Sequence, residues 1–288
     1  MKLFRFGEKG SEKPGLALAD GTLVDASGFG EDWDERFFGQ GDDGLARLAK
    51  WEATSAAKAP RVPAGTRLGP AIARPSKVIC IGLNYRGHAK ETGAAIPAEP
   101  VVFMKASSAW AAANDDLVLP RGSVKTDWEI ELAFVIGKRA SYVAPEAALD
   151  HVAGFALHND YSEREYQIER GGQWTKGKSA DGFASFGPYF VTRDAFPEFG
   201  RAHLWLRVNG VTKQDASTED LIFDVPTLVA YVSRFMTLLP GDVISTGTPA
   251  GVGMGHKPPV FLKAGDVVEY GVDGLGEVKQ RILAGEAP

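Results

Sequence analysis

Short apolar runs, broken every few residues by glycine, proline or a charged cluster, run through the whole chain. Residues 3–6 and 16–19 read as short strands, Asp20-Gly21 as a turn, and residues 22–24 as the third strand of a meander. A helical stretch follows around residues 45–51, and Ala59-Pro60-Arg61-Val62-Pro63-Ala64-Gly65 reads as a linker. Residues 1–70 are therefore expected to form a small N-terminal domain containing β-strands, and residues 71–288 the main domain. In the main domain, residues 77–81, 101–104, 129–136, 203–208, 242–246 and 266–270 have strand character. Helical patterns fall around 84–91, 162–170 and 225–237. Strands and helices do not alternate regularly, which favours a mixed α/β, β-rich fold over a doubly wound sheet.

Composition changes this picture little. A chain of 288 residues with 44% hydrophobic positions can build a core without covalent staples. Its formal charge of −5 argues against nucleic acid and anionic lipid as partners. No apolar run approaches the roughly twenty residues a membrane span needs. The start Met1-Lys2-Leu3-Phe4-Arg5-Phe6 turns polar at once, so no signal peptide and a cytoplasmic location are expected. The single cysteine, Cys80, lies in an apolar run and reads as a core residue.

The chemistry concentrates in Asp127-Trp128-Glu129-Ile130-Glu131-Leu132-Ala133-Phe134-Val135-Ile136-Gly137. Glu129 and Glu131 are two residues apart at the start of a strand that is otherwise apolar, so both side chains point to one face. An exposed strand start also satisfies that spacing. Buried, the two charges repel, and a hard divalent cation would resolve the conflict. A third acid, Asp160, ends the apolar run 152–157 and shifts the balance toward an ion. No His or Cys accompanies these acids, so Mg²⁺ is expected, with Mn²⁺ possible, rather than Zn²⁺. If Asp160-Tyr161-Ser162-Glu163-Arg164-Glu165-Tyr166-Gln167 is helical, Asp160, Arg164 and Gln167 share a face. Arg164 would then clamp a substrate carboxylate and Gln167 a keto oxygen; an ordinary surface helix is the alternative.

Gly172-Gln173-Trp174-Thr175-Lys176-Gly177-Lys178-Ser179 fits the phosphate-loop pattern, but it follows a charged segment rather than a buried strand. Lys178 reads better as a cation near the metal that stabilises an oxyanion. His88 and Glu91, three residues apart, would share one helical turn, with the carboxylate orienting the imidazole as a general base. A surface contact is the other reading of that pair. Gly82, Gly87, Gly93 and Pro97 around it suit a lid.

Together these segments resemble the fumarylacetoacetate hydrolase family. The resemblance rests on Ile81-Gly82-Leu83-Asn84-Tyr85 with His88 and Glu91, and on Pro100-Val101-Val102-Phe103-Met104-Lys105. It also rests on the Glu129/Glu131 run, the segment from Asp160 to Gln167, Lys178, and Asp242-Val243-Ile244-Ser245-Thr246-Gly247-Thr248-Pro249. The motifs occur in the family's order over residues 71–255. The resemblance implies a β-sandwich roll, a homodimer or dimer of dimers, and Mg²⁺ held by Glu129, Glu131 and Asp160. It implies that His88 and Glu91 activate water, and that Lys105, Arg164, Gln167, Lys178 and Thr248 line the substrate pocket. Ser185 stands where the family often has proline, which predicts a less rigid loop after Lys178. The implied reaction is hydrolytic C–C cleavage of a 2,4-diketo acid to pyruvate and a carboxylic acid. Segments 121–128 and 169–174 look like those of bacterial sugar-acid enzymes, so 2,4-diketo-3-deoxy-L-rhamnonate, cut to pyruvate and L-lactate, is the implied substrate. Ureidoglycolate cleavage, oxaloacetate decarboxylation or isomerisation of an unsaturated keto acid would use the same site. A non-catalytic sugar-acid-binding protein is the alternative of another class.

Overall fold

The computed structural model describes residues 1–285. In chain order its strands are β1 (Lys2–Phe6), β2 (Lys13–Ala17), β3 (Leu23–Asp25), β4 (Val78–Gly82), β5 (Val101–Lys105) and β6 (Trp110–Ala112). There follow β7 (Leu117–Val118), β8 (Thr126–Asp127), β9 (Ile130–Ile136), β10 (Val152–Asp160), β11 (Ser162–Glu163) and β12 (Ala184–Thr192). The last five are β13 (His203–Val208), β14 (Val211–Ser217), β15 (Val243–Ser245), β16 (Val267–Val272) and β17 (Gly276–Leu283). The helices are α1 (Glu35–Phe38), α2 (Asp42–Ser55), α3 (Arg86–Thr92), α4 (Thr175–Lys178) and α5 (Val225–Val232). No described helix is long and apolar enough to cross a membrane.

The fold is mixed α/β and rich in strands, as the sequence pattern and the resemblance both imply. One sheet runs β3-β2-β1-β12-β10-β9-β15-β4-β5, with β6 added alongside β12. A second runs β14-β13-β16-β17-β7, and β8 pairs with β11. The N-terminal meander forms as expected, but hydrogen bonding does not stop near residue 70. β1 pairs antiparallel with β12, so the first three strands extend the large sheet.

Strand β9 shows why the large sheet sits at the centre. Its even positions, Ile130, Leu132, Phe134 and Ile136, pack with Leu204, Leu206, Val268 and Tyr270 of the second sheet. Its odd positions Ala133 and Val135 pack with Trp33, Phe37, Phe38 and Leu48 of the N-terminal helical segment. Burial on both faces gives the continuous apolar run seen in the sequence. Each fully buried large apolar side chain stabilises the fold by about 1.5–3 kcal/mol.

Two local expectations are corrected. The segment from Asp160 to Gln167 is not one helix. Asp160 ends β10, Ser162 and Glu163 pair with Asp127 and Thr126, and only then does a π-helical turn, Glu165–Glu169, begin. The ladder with 126–127 keeps the backbone extended past Asp160. Ser185 lies in no loop either. It is buried within β12, where its hydroxyl accepts a hydrogen bond from Gln280 and donates to the Gly182 carbonyl.

Candidate active site

Alternation along β9 places the acids. Glu131 follows Ala133 and Val135 on the odd-numbered face, and Glu129 lies one step beyond the strand's start. Across the ladder, His158 is opposite Glu131, and the Asp160 N–H donates to the Glu129 carbonyl at 2.9 Å. Glu129, Glu131 and Asp160 thereby offer three carboxylate oxygens within 4.8 Å of one another, all buried. An all-oxygen set of hard, anionic donors suits Mg²⁺ or Mn²⁺.

Cations surround the acids. Lys178, on α4, donates to Glu129 at 2.5 Å and to Asp160 at 2.7 Å. Arg164 donates to Glu129 at 2.7 Å, Asp127 at 2.8 Å and Gln167 at 3.0 Å. Burial opposes ionisation of Glu129, but Lys178 and Arg164 outweigh it and hold its carboxyl below the usual range. Burial likewise opposes ionisation of Asp160, yet Lys105 and Lys178 pull its pKa down. Glu131 differs. Among the described residues it receives the Ser245 hydroxyl and, at 3.0 Å, the Gly247 N–H, and no cation donates to it. Burial first, then the charges of Asp160 and Glu129, push its pKa well above the carboxylate range. The cluster is short of positive charge at Glu131, which is the deficit a divalent ion would fill.

The dyad forms on α3. His88 Nδ1 is 2.8 Å from Glu91 Oε1, and Glu91 Oε2 accepts the Gly251 N–H at 2.8 Å. With the Nδ1 proton assigned to the Glu91 bond, Nε2 is the free base. His88 lines a cavity of about 180 Å³ together with Glu129, Glu131, Arg164, Gln167, Lys178 and Thr248. A larger cavity of about 290 Å³ lies beneath α2, beside Phe37, Phe38 and Val152, and contains none of these groups.

Most of the expected site residues therefore meet around one cavity, with Asp160 beside Glu129 and Glu131, and Glu91 beside His88, just outside its wall. Lys105 lies farther from the expected role. It is buried behind the acids, where its ammonium donates to Asp160 and, at 3.1 Å, to the Tyr161 carbonyl, and it is not in the cavity wall. Thr248 lines the cavity, but its hydroxyl donates to the Ile130 carbonyl at 2.9 Å and accepts from Gln214 at 2.7 Å. Several residues went unread in the sequence. Asp127 receives Arg164 and the Gly253 and Met254 N–H groups, at 2.6 and 3.0 Å for the latter two. The alternation Asp127, Glu129, Glu131 was its signal. The wall residues Leu83, Phe103, Trp174 and Met254 come from separate segments and had none.

Comparison with known proteins fits this geometry. Residues 77–283 match the fumarylacetoacetate hydrolase C-terminal family. A Burkholderia ambifaria protein named only as a hydrolase is 50% identical over 97% of this chain and 98% of its own. Maleylpyruvate hydrolase from Sphingobium sp. SYK-6, solved with manganese(II) and pyruvate, is 30% identical. It covers 99% of this chain and 100% of its own, with a TM-score of 0.81. A protein of Mycobacterium abscessus named a probable 2-hydroxyhepta-2,4-diene-1,7-dioate isomerase is also 30% identical, covers 100% of both chains and superposes with a TM-score of 0.82. With the family domain matched over most of its length and relatives aligned from end to end, this chain belongs to the fumarylacetoacetate hydrolase family of hydrolases and isomerases.

Proposed function

We propose that the protein is a divalent-metal-dependent hydrolase that cleaves the C3–C4 bond of a 2,4-diketo acid, releasing pyruvate and a carboxylic acid. The observation that carries this reading is one cavity lined by Glu129 and Glu131, whose third acid Asp160 clusters with them, and by His88, whose ring is held by Glu91. Decarboxylation needs the acids but no water-activating base, so the dyad favours hydrolysis over it.

Glu129, Glu131 and Asp160 would hold Mg²⁺, with Mn²⁺ as a substitute. When bound, the ion supplies a Lewis acid for the carboxylate and 2-keto oxygens of the substrate. Glu91 holds the His88 ring so that Nε2 takes a proton from water, and the water oxygen bonds to C4. The C3–C4 bond then breaks, its electron pair passes to C3 and the C2 oxygen, and C4 leaves as the carboxylic acid. Lys178, kept protonated by Asp160 and Glu129 against the effect of burial, faces the negative charge that develops. A proton returned to C3 completes pyruvate. Asp127 positions Arg164, and Arg164 positions Gln167.

Acylpyruvates and 2,4-diketo-3-deoxy-L-rhamnonate, supplied with Mg²⁺, test the reading through coupled assays for pyruvate and the acid product. Equal amounts of both products, lost on adding EDTA, are expected. Carbon dioxide release from oxaloacetate in their place, or full turnover in EDTA, would overturn it.

A further inference from the structure

We propose that the cavity selects a substrate with one carboxylate and an apolar acyl group, and rejects 2,4-diketo diacids. This rests on the cleavage reading above, which places the 2-keto acid head at the acids; the inference concerns the other end of the substrate.

Apart from Glu129, Glu131, His88, their polar partners and the threonines Thr92 and Thr248, the wall is apolar and includes Leu83, Ala94, Phe103, Ile168, Trp174 and Met254. Trp174 is held in place. A Cβ at Gly82 would lie 2.4 Å from its ring, so the ring rests against the end of β4. It packs edge-on to Phe103, with ring centroids 5.3 Å apart. The Lys178 ammonium is 5.0 Å from the Phe103 ring centre, so this hydrocarbon wall begins beside the reactive end. Thr92 is also in the wall, and its hydroxyl donates to the His88 carbonyl at 2.9 Å. A chain leaving the head therefore meets apolar surface.

Charge points the same way. The cations in the wall are Arg164 and Lys178, and both are engaged by acids. Around the site, the four buried acids Asp127, Glu129, Glu131 and Asp160 face the three cations Lys105, Arg164 and Lys178. The site's own acids thus already occupy its cations. Among the described residues of the wall, a second carboxylate meets no cation that is not already paired with an acid, and it would be stripped of water against aromatic rings. Glu91, behind His88, adds further negative charge.

Isothermal titration of the full chain with Mg²⁺ tests this using three probes that cannot be cleaved: oxalate, 2-oxohexanoate and 2-oxoadipate. Oxalate and 2-oxohexanoate are expected to bind, with 2-oxoadipate at least tenfold weaker than 2-oxohexanoate. If oxalate binds and 2-oxoadipate matches 2-oxohexanoate, the selectivity proposal falls and the cleavage reading stands. If oxalate does not bind, the cleavage reading falls and takes this proposal with it. Ile168, 50% exposed at the mouth, offers a second test. Ile168→Lys would place an ammonium beside the tail and should narrow the ratio at least threefold. An unmoved ratio would overturn the placement of the tail on this wall.

Discussion

Glu131→Gln separates the role of Glu131 as a ligand from its role in folding. Glutamine keeps the shape and an oxygen to accept the Ser245 hydroxyl and the Gly247 N–H, but removes one of three clustered charges. Two unit charges within 4.8 Å repel by about 3.5 kcal/mol or more at an effective dielectric constant of 20. Lys178 offsets part of this, so metal-free Glu131→Gln should be more stable than wild type by about 1–2 kcal/mol, or roughly 2–3 °C in Tm. The gap should depend on pH. Unfolded Glu131 releases its proton near the ordinary value of 4.5, whereas the folded chain holds it to higher pH. Above that value the folded state binds the extra proton, so wild-type stability falls as pH rises. Glutamine does not titrate, and the advantage of the variant should widen from pH 4.5 upward.

Metal reverses the order. At an ion concentration one hundred times the Kd, wild type gains about 2.7 kcal/mol, or roughly 4–5 °C. A hundredfold loss of affinity in Glu131→Gln leaves about 0.4 kcal/mol, close to 1 °C. Differential scanning calorimetry of EDTA-stripped protein, with and without Mg²⁺, reads both arms. Equal Mg²⁺ shifts in the two proteins would remove Glu131 from the ligand set. A metal-free variant melting several degrees below wild type would refute the argument from repulsion.

Three further outcomes are expected. His88→Ala should lower kcat by about 10²–10⁴-fold while leaving the Mg²⁺-induced Tm shift intact, since it removes the base and no ligand; unchanged turnover would end the dyad assignment. Gly82→Ala forces a Cβ to 2.4 Å from Trp174, and displacing that ring should raise KM about tenfold, within the 1–3 kcal/mol range for overpacking; an unchanged KM would show that Trp174 does not shape the cavity. Glu12 accepts Arg67 at 3.0 Å, and Arg67 also grips Asp115, so Glu12→Gln should cost about 1 kcal/mol at pH 7 after allowing for partial exposure. Burial opposes ionisation of Glu12 but Arg67 and the Gly10 N–H lower its pKa, so the cost should fade as pH falls below 4.5; a cost that persists in acid would exclude the ion pair as its source.

What the sequence disclosed, and what it hid, follows from the range of each signal. Period-two alternation is local, so β9 and the shared face of Glu129 and Glu131 were legible, as was the i, i+3 pairing of His88 with Glu91. Asp160 was legible as the end of an apolar run, but the turn after it was not, because β11 stays extended only by pairing with β8 across a gap in sequence. β12, central to the large sheet, carries Ser185, Gly187 and Pro188, which read locally as a loop; flanking by β1 and β10 makes it a strand. The cavity wall was invisible for the same reason, since only the fold brings Leu83, Phe103, Trp174 and Met254 together. The N-terminal segment shows how far a local reading reaches. Read alone, residues 1–70 are a preliminary module. In the fold they supply Trp33, Phe37 and Phe38 to the face of β9 that bears Ala133 and Val135, and two residues farther along that same face stands Glu131. The segment thus covers the sheet face whose other end carries the acids, and its packing and the site's geometry share one strand.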